Sequence, residues 1–169
     1  MLVYHPATDF YHCWMRFASV LSSRGAIGVE FDRLRIIDFL VCFPQEIEHC
    51  RLPRKESAML RKLLKFLPRR YEDPRSFRQA FPRMGFIQRH VVADMAARGL
   101  LQMDSYNNGI LVPTDALEAR CLMHEIGESW ANGNAELTAL TISTLMGIPL
   151  KGKDGLKDRT RLLEYRYDN

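Results

Sequence analysis

The sequence predicts a mainly α-helical protein with a small β-hairpin: a winged helix-turn-helix-like core with flanking N- and C-terminal helices. Three observations predict it. Apolar residues recur at helical spacing over most of the chain. Helix-like stretches between Pro53 and Gly99 lead into a short strand, an Asn-Gly turn and a return strand, which is the order of a winged helix. The 169 residues, 47% hydrophobic and 26% charged, suit one compact domain rather than a disordered chain. The expected organisation is a single domain over 1–169, with a helical pair in 1–50, a winged-helix-like unit in 54–113 and C-terminal helices in 114–169.

A first helix is expected after Pro6, capped by Thr8 or Asp9. Phe10, Cys13, Trp14, Phe17, Val20 and Leu21 form its apolar stripe, and Gly25 ends it in a positive-φ conformation. Trp14 and Phe17 are expected to be buried against a second helix over residues 30–41, which Pro44 stops. Arg35 and Asp38, three apart on that helix, are expected to pair on its surface. Residues 56–67 read as a third helix, with Met59, Leu60, Leu63, Leu64 and Leu67 inward. Asp73-Pro74 reads as a helix start. Residues 76–80 then form a short helix, 82–85 a turn and 86–98 a recognition-type helix. Residues 100–103 and 110–112 read as hairpin strands joined at Asn108-Gly109. Thr114 caps a helix reaching about residue 130, residues 136–146 form another, and Leu162, Leu163, Tyr165 and Tyr167 dock a short last helix after a polar stretch.

Composition excludes several classes. No apolar run approaches the roughly 18 residues of a membrane span, and the first residues lack the pattern of a secretory signal. Cys13, Cys42, Cys50 and Cys121 are scattered, without a Cys-x-x-Cys pair, so a reduced, cytoplasmic protein is expected rather than a zinc ribbon or a disulfide scaffold. There is no phosphate-binding Gly-x-x-x-x-Gly-Lys-Ser/Thr loop and no Gly-x-Ser-x-Gly elbow. His124-Glu125-Ile-Gly-Glu128 begins like a zinc-protease motif but carries Glu at the second ligand position, so it reads as a helix surface.

Charge is uneven. The formal net charge is +4, yet residues 51–89 hold twelve Lys and Arg against three acids, leaving an acidic remainder. Such a basic middle fits a polyanion, an acidic protein face or simply a solvated surface. If it meets DNA, the contact candidates are Arg61, Lys62, Lys65, Arg69, Arg70, Arg75, Arg78, Arg83 and Arg89, with Asn107 and Asn108 at the wing tip. Gln88, His90 and Tyr106 lie beside them. His5, Asp9 and His12 could meet around the start of the first helix as metal ligands, although capping and a helix face explain them more simply. Cys42, His49 and Cys50 form a weaker trio.

Tyr4-His5-Pro6, Asp9, Tyr11-His12 and Arg16-Phe17 resemble the start of the middle component of ABC-three-component systems, as in Lamassu-type anti-phage defence. The stretch Phe31-Asp32-Arg33-Leu34-Arg35-Ile36-Ile37-Asp38-Phe39, running into Phe43-Pro44, resembles it again. A looser likeness continues through Arg51-Leu52-Pro53 and Gly99-Leu100 to Leu162-Leu163-Glu164-Tyr165. The resemblance brings no catalytic residue and no cofactor. It implies an adaptor that joins an SMC-like ABC-type ATPase to an effector subunit and restrains it until foreign DNA is sensed. Double-stranded DNA is then met through the complex. The alternative from the residues alone is a stand-alone winged-helix DNA-binding regulator, and an enzyme built on His5, Asp9 and His12 is the remotest reading.

Overall fold

The structure is a computed structural model that describes residues 5–67, 77–123 and 134–164. A 3₁₀ turn, Pro6–Thr8, leads into α1 (Phe10–Ser22). The Asp9 carboxylate accepts the His12 N–H at 2.9 Å, satisfying a donor that the helix start would otherwise leave unpaired. Gly25 opens a second 3₁₀ turn, Gly25–Ile27, at φ +51°. β1 (Val29–Glu30) then runs straight into α2 (Phe31–Cys42), and a third 3₁₀ segment spans Pro44–His49. The remaining elements are α3 (Arg54–Leu64), α4 (Phe77–Ala97), α5 (Met103–Asn107), β2 (Ile110–Leu111), α6 (Asp115–Met123), α7 (Ala135–Met146) and α8 (Leu156–Thr160). The fold is mainly helical with a two-stranded antiparallel sheet, as the sequence predicts.

The second helix is the hub. α2 packs against α1, α4 and α7, and residues 36–42 are all buried. A helix covered on several sides cannot follow the one-faced amphipathic pattern of a surface helix. Its charges therefore point into the protein. Asp38 is 2% exposed, and its partner is Arg16 of α1, not Arg35 as expected, while Arg35 pairs instead with Asp32 at 3.5 Å. Arg33 is also buried. Its Nη1 donates to the Leu145 and Ile148 carbonyls at 2.7 and 2.6 Å, and its Nε to Glu30 at 2.7 Å. The guanidinium thus closes the C-terminal end of α7, where carbonyls lack helical partners and negative partial charge collects.

Several expected boundaries shift. α3 starts at Arg54 and ends at Leu64, with Met59 exposed rather than inward. The expected turn over 82–85 is absent: α4 continues through Pro82 as one helix. Pro82 forfeits one helical hydrogen bond. On either side of it, buried Phe81 and Met84 anchor the helix in the core, and Phe81 meets Phe39 edge-on at 5.4 Å. The hairpin changes too. Of the residues expected as its first strand, Met103 instead starts α5, and the Gly109 N–H returns to the Tyr106 carbonyl at φ +75°. Asn108-Gly109 therefore closes a helical turn and not a strand-to-strand turn. β2 pairs with β1, in register Val29 to Leu111 and Glu30 to Ile110, while residues 100–102 and 112–114 keep a narrow ladder beside it.

Gly28 sits where this sheet closes. At φ +69° and ψ −179° its backbone is one that glycine alone adopts readily. A Cβ there would lie 2.7 Å from Val112 Cγ2 and 2.9 Å from the Leu111 carbonyl oxygen. Gly28→Ala is expected to cost roughly 2–4 kcal/mol, from the left-handed backbone and overpacking together, measured by urea unfolding.

The C-terminal region docks earlier than expected. Residues 151–158 read as a polar stretch, yet α8 buries Leu156, Lys157, Asp158 and Thr160. Lys157 reaches Asp32 at 2.8 Å, and Asp158 reaches Arg51 at 2.8 Å. Leu162 and Leu163 pack partly against the core as expected, while Tyr165 and Tyr167 lie outside the described residues. So do the second half of the helix expected after Thr114 and the Asp73-Pro74 helix start. Among the described residues no helix is long and apolar enough to cross a membrane.

Candidate functional site

Several of the residues that carried the resemblance gather in two constellations. His5 Nδ1 accepts the Ala7 N–H at 3.1 Å and its ring stacks on Phe43 at 5.1 Å, pinning the chain entry to the end of α2. Pro6 supplies a carbonyl to Arg16 Nη1 at 3.1 Å. Asp9 caps α1, and Pro44 opens the 3₁₀ segment that ends the α2 region. Tyr4 lies outside the described residues. His5 and Asp9 thus serve packing and capping, and His12 gives its backbone N–H to Asp9. No group of three His, Cys, Asp or Glu among the described residues is placed to hold a metal.

The second constellation is a buried polar chain across α1, α2 and α4. Arg16 Nε donates to Asp38 Oδ1 at 2.5 Å, with side chains 4% and 1% exposed. Gln88 Nε2 donates to Asp38 Oδ2 at 2.9 Å, and Arg35 Nε donates to Gln88 Oε1 at 3.1 Å. Gln88 is fully buried, so it does not face a duplex as expected. Burial alone would lower the Arg16 pKa. The charge and hydrogen bond of Asp38, together with Cys42 and Cys13, outweigh it and hold the guanidinium above its ordinary value. Burial, and then the Asp38 charge, pushes the Cys13 thiol far up. The chain is a structural lock: its groups are paired with each other rather than arranged around an open cavity.

Cys50 behaves similarly at the edge of the core. Burial, with Glu46 adding to it, pushes its thiol up to about 12. The folded state therefore holds this proton more tightly than the unfolded chain, whose thiol titrates near 8.5. Stability from Cys50 is complete below that pH and is lost as pH rises toward about 12. Cys50→Ala is expected to flatten the alkaline unfolding profile, and the native Cys50 peptide to alkylate slowly at pH 8 by mass spectrometry.

An open groove of about 560 Å³ lies between α4, α5 and the start of α2. Phe31, Val92, Tyr106 and Leu111 line its apolar part; Arg89, His90 and Asn107 stand at its edge. Here the fold brings together two residues expected at a recognition helix and two expected at a wing tip, although the latter lie on α5. His90 Nδ1 lies 2.9 Å from the Phe86 carbonyl, one turn back. Phe31 and Leu111 are among the lining residues that sequence reading missed, with Val92, Ala93 and Gly109. The signal for Phe31 and Leu111, β1 pairing with β2, rests on two-residue strands too short to show a period.

The basic candidates divide between helices. α3 exposes Arg61, Lys62 and Lys65 together with Arg54 and Lys55, and none of the five forms an ion pair among the described residues. Arg54, Arg61 and Lys65 fall on one line of the helix and Lys55 and Lys62 on the next. On α4, Arg83 and Arg89 are both exposed but stand about 120° apart around the axis, so they do not form one recognition line. Asn107 is exposed, and Asn108 donates its amide to the Asp104 carbonyl at 2.9 Å. Arg69, Arg70 and Arg75 lie outside the described residues, as does the side chain of Arg78.

Fold and site together define a small helical protein held by an internal ion-pair lock, with an apolar groove and a cationic helix on its surface. The chain belongs to the family described as ABC-three component (ABC-3C) system Middle Component 5, whose model matches residues 2–168. It is thus a middle component of an anti-phage three-component system and works with that system's other components. Comparison with curated proteins and with solved structures gave no match.

Proposed function

We propose that this chain is a non-catalytic, cytoplasmic adaptor. It links an SMC-like ABC-type ATPase to an effector, in a Lamassu-like arrangement, and restrains the effector until foreign DNA is sensed. The family assignment over nearly the whole chain carries this reading. Several ionisable residues of the signature segments support it, because Asp9 caps a helix and Arg16 and Asp38 pair inside the protein. The test is co-expression with the neighbouring system genes and purification through a tag on this chain. A single complex containing an ATPase and an effector is expected, with the effector released from restraint when this chain is omitted. Recovery of this chain alone, with the ATPase present in the same cells, would overturn the reading.

In this reading α3 is the surface that meets the DNA backbone within the complex. Its cations, which form no ion pair among the described residues, are a phosphate-neutralising row. Reversing Arg61, Lys62 and Lys65 to Glu is expected to weaken duplex binding without changing sequence preference. The slope of log affinity against log salt should become shallower by about 3, at roughly 0.9 per lost phosphate contact. An unchanged slope assigns DNA contact to another surface.

A further inference from the structure

We propose that the groove between α4 and α5 receives an extended acidic segment of a partner protein. A carboxylate of that segment pairs with Arg89, and an adjacent apolar side chain rests on Phe31, Val92 and Leu111. The inference rests on the adaptor reading and assigns it a contact surface.

The groove is open, since Arg89, His90, Ala93, Asn107 and Gly109 along it are exposed. A length of chain can lie in it, whereas a fully enclosed small molecule has no lid. Arg89 has no hydrogen bond or ion pair among the described residues. A second guanidinium stands nearby across Gly85. A Cβ built on that glycine would meet Arg35 Nη2 at 2.9 Å and Arg89 Nη1 at 3.4 Å. Two cations converge there, and the acid on hand, Asp32, is placed 3.5 Å from Arg35. The edge therefore carries uncompensated positive charge that a carboxylate would neutralise.

The floor separates a protein segment from nucleic acid. Phosphate backbones are met by rows of cations, and such a row stands on α3, not here. Apolar floors with a charged edge are the usual form of peptide-docking grooves. Exposed Phe86, 62% accessible and in ring contact with His90 at 4.2 Å, and Ile110, 40% accessible, extend apolar surface beyond the groove.

The experiment uses the full chain co-expressed with the other components of its system. Arg89→Glu reverses the charge, and Ala93→Trp fills the groove from an exposed position outside the core. Lys153→Glu, at an exposed position just before α8, is the control. Both groove variants are expected to retain the wild-type thermal midpoint and to lower affinity for the bound component by about ten-fold or more, the scale of one close charge pair or a blocked pocket. The control is expected to keep it. If the wild type retains its partner and both groove variants do so equally, the groove assignment fails while the adaptor reading stands. If the wild type retains no component, both fail. If the variants dissolve a dimer of this chain, or lose only duplex DNA, the occupant is a second copy or nucleic acid and the proposal is overturned.

Discussion

Asp38→Ala is expected to lower unfolding stability by about 3–5 kcal/mol, because it leaves the Arg16 guanidinium buried without its counter-charge. A domain of this kind has only about 5–15 kcal/mol in total, so the loss takes a large fraction of its stability. The loss has two parts. Arg16 is 4% exposed and cannot reach water without moving α1, and Gln88 Nε2 loses an acceptor at 2.9 Å. Urea denaturation of the purified variant gives the value. The paired replacement Arg16→Met with Asp38→Leu removes both charges and is expected to recover a large share of it, since buried ion pairs are often replaceable by apolar groups of similar size. A loss below about 1 kcal/mol for Asp38→Ala would mean that Arg16 finds solvent or another acceptor.

Phe17→Ala should be similarly severe, about 3–5 kcal/mol. Phe17 is fully buried, one turn along α1 from Cys13, in the core shared by α1 and α2. Trp14 is the contrasting case. It was expected to be buried as deeply, but it packs against the core while remaining partly exposed. Trp14→Ala should therefore cost less than Phe17→Ala in the same assay. Equal losses would place Trp14 in the core after all.

The difference between those two residues shows what periodicity reports. The apolar stripe on α1 locates its inner face, but Phe10, Trp14 and Phe17 fall at different angles within a broad arc, and only packing decides their depth. Phe10 ends 41% exposed. Caps are local, so Asp9 and the end of α1 near Gly25 were readable. Asn134, which accepts the Leu137 N–H, starts α7 one residue earlier than expected. Pro82 was read by the same local rule and misled, because long-range burial of Phe81 and Met84 holds α4 together across it.

The site was legible in unequal parts. Residues Arg89, His90, Tyr106 and Asn107 could be named because they were expected near a recognition helix and a hairpin tip, and the fold does gather them, though around an α-helical tip. The Arg16–Asp38–Gln88 chain was not legible as such. Separations of 22 and 50 residues carry no local pattern, and charges on a helix read by default as solvent-facing. The resemblance had marked Arg16 and Asp38 without a reason. The structure supplies one, in that they are the two ends of a buried pair.

Arg33 has a consequence for how the chain tolerates trimming. Its guanidinium is neutralised by Glu30 and held by the Leu145 and Ile148 carbonyls, while Lys157 reaches back to Asp32 on the same helix. A protease cut just past Gly147 would remove the Ile148 acceptor and the Lys157 cation together, though it spares every residue of α2. Loss of the last twenty-odd residues would thus be felt as damage near position 33, at the opposite end of the polypeptide.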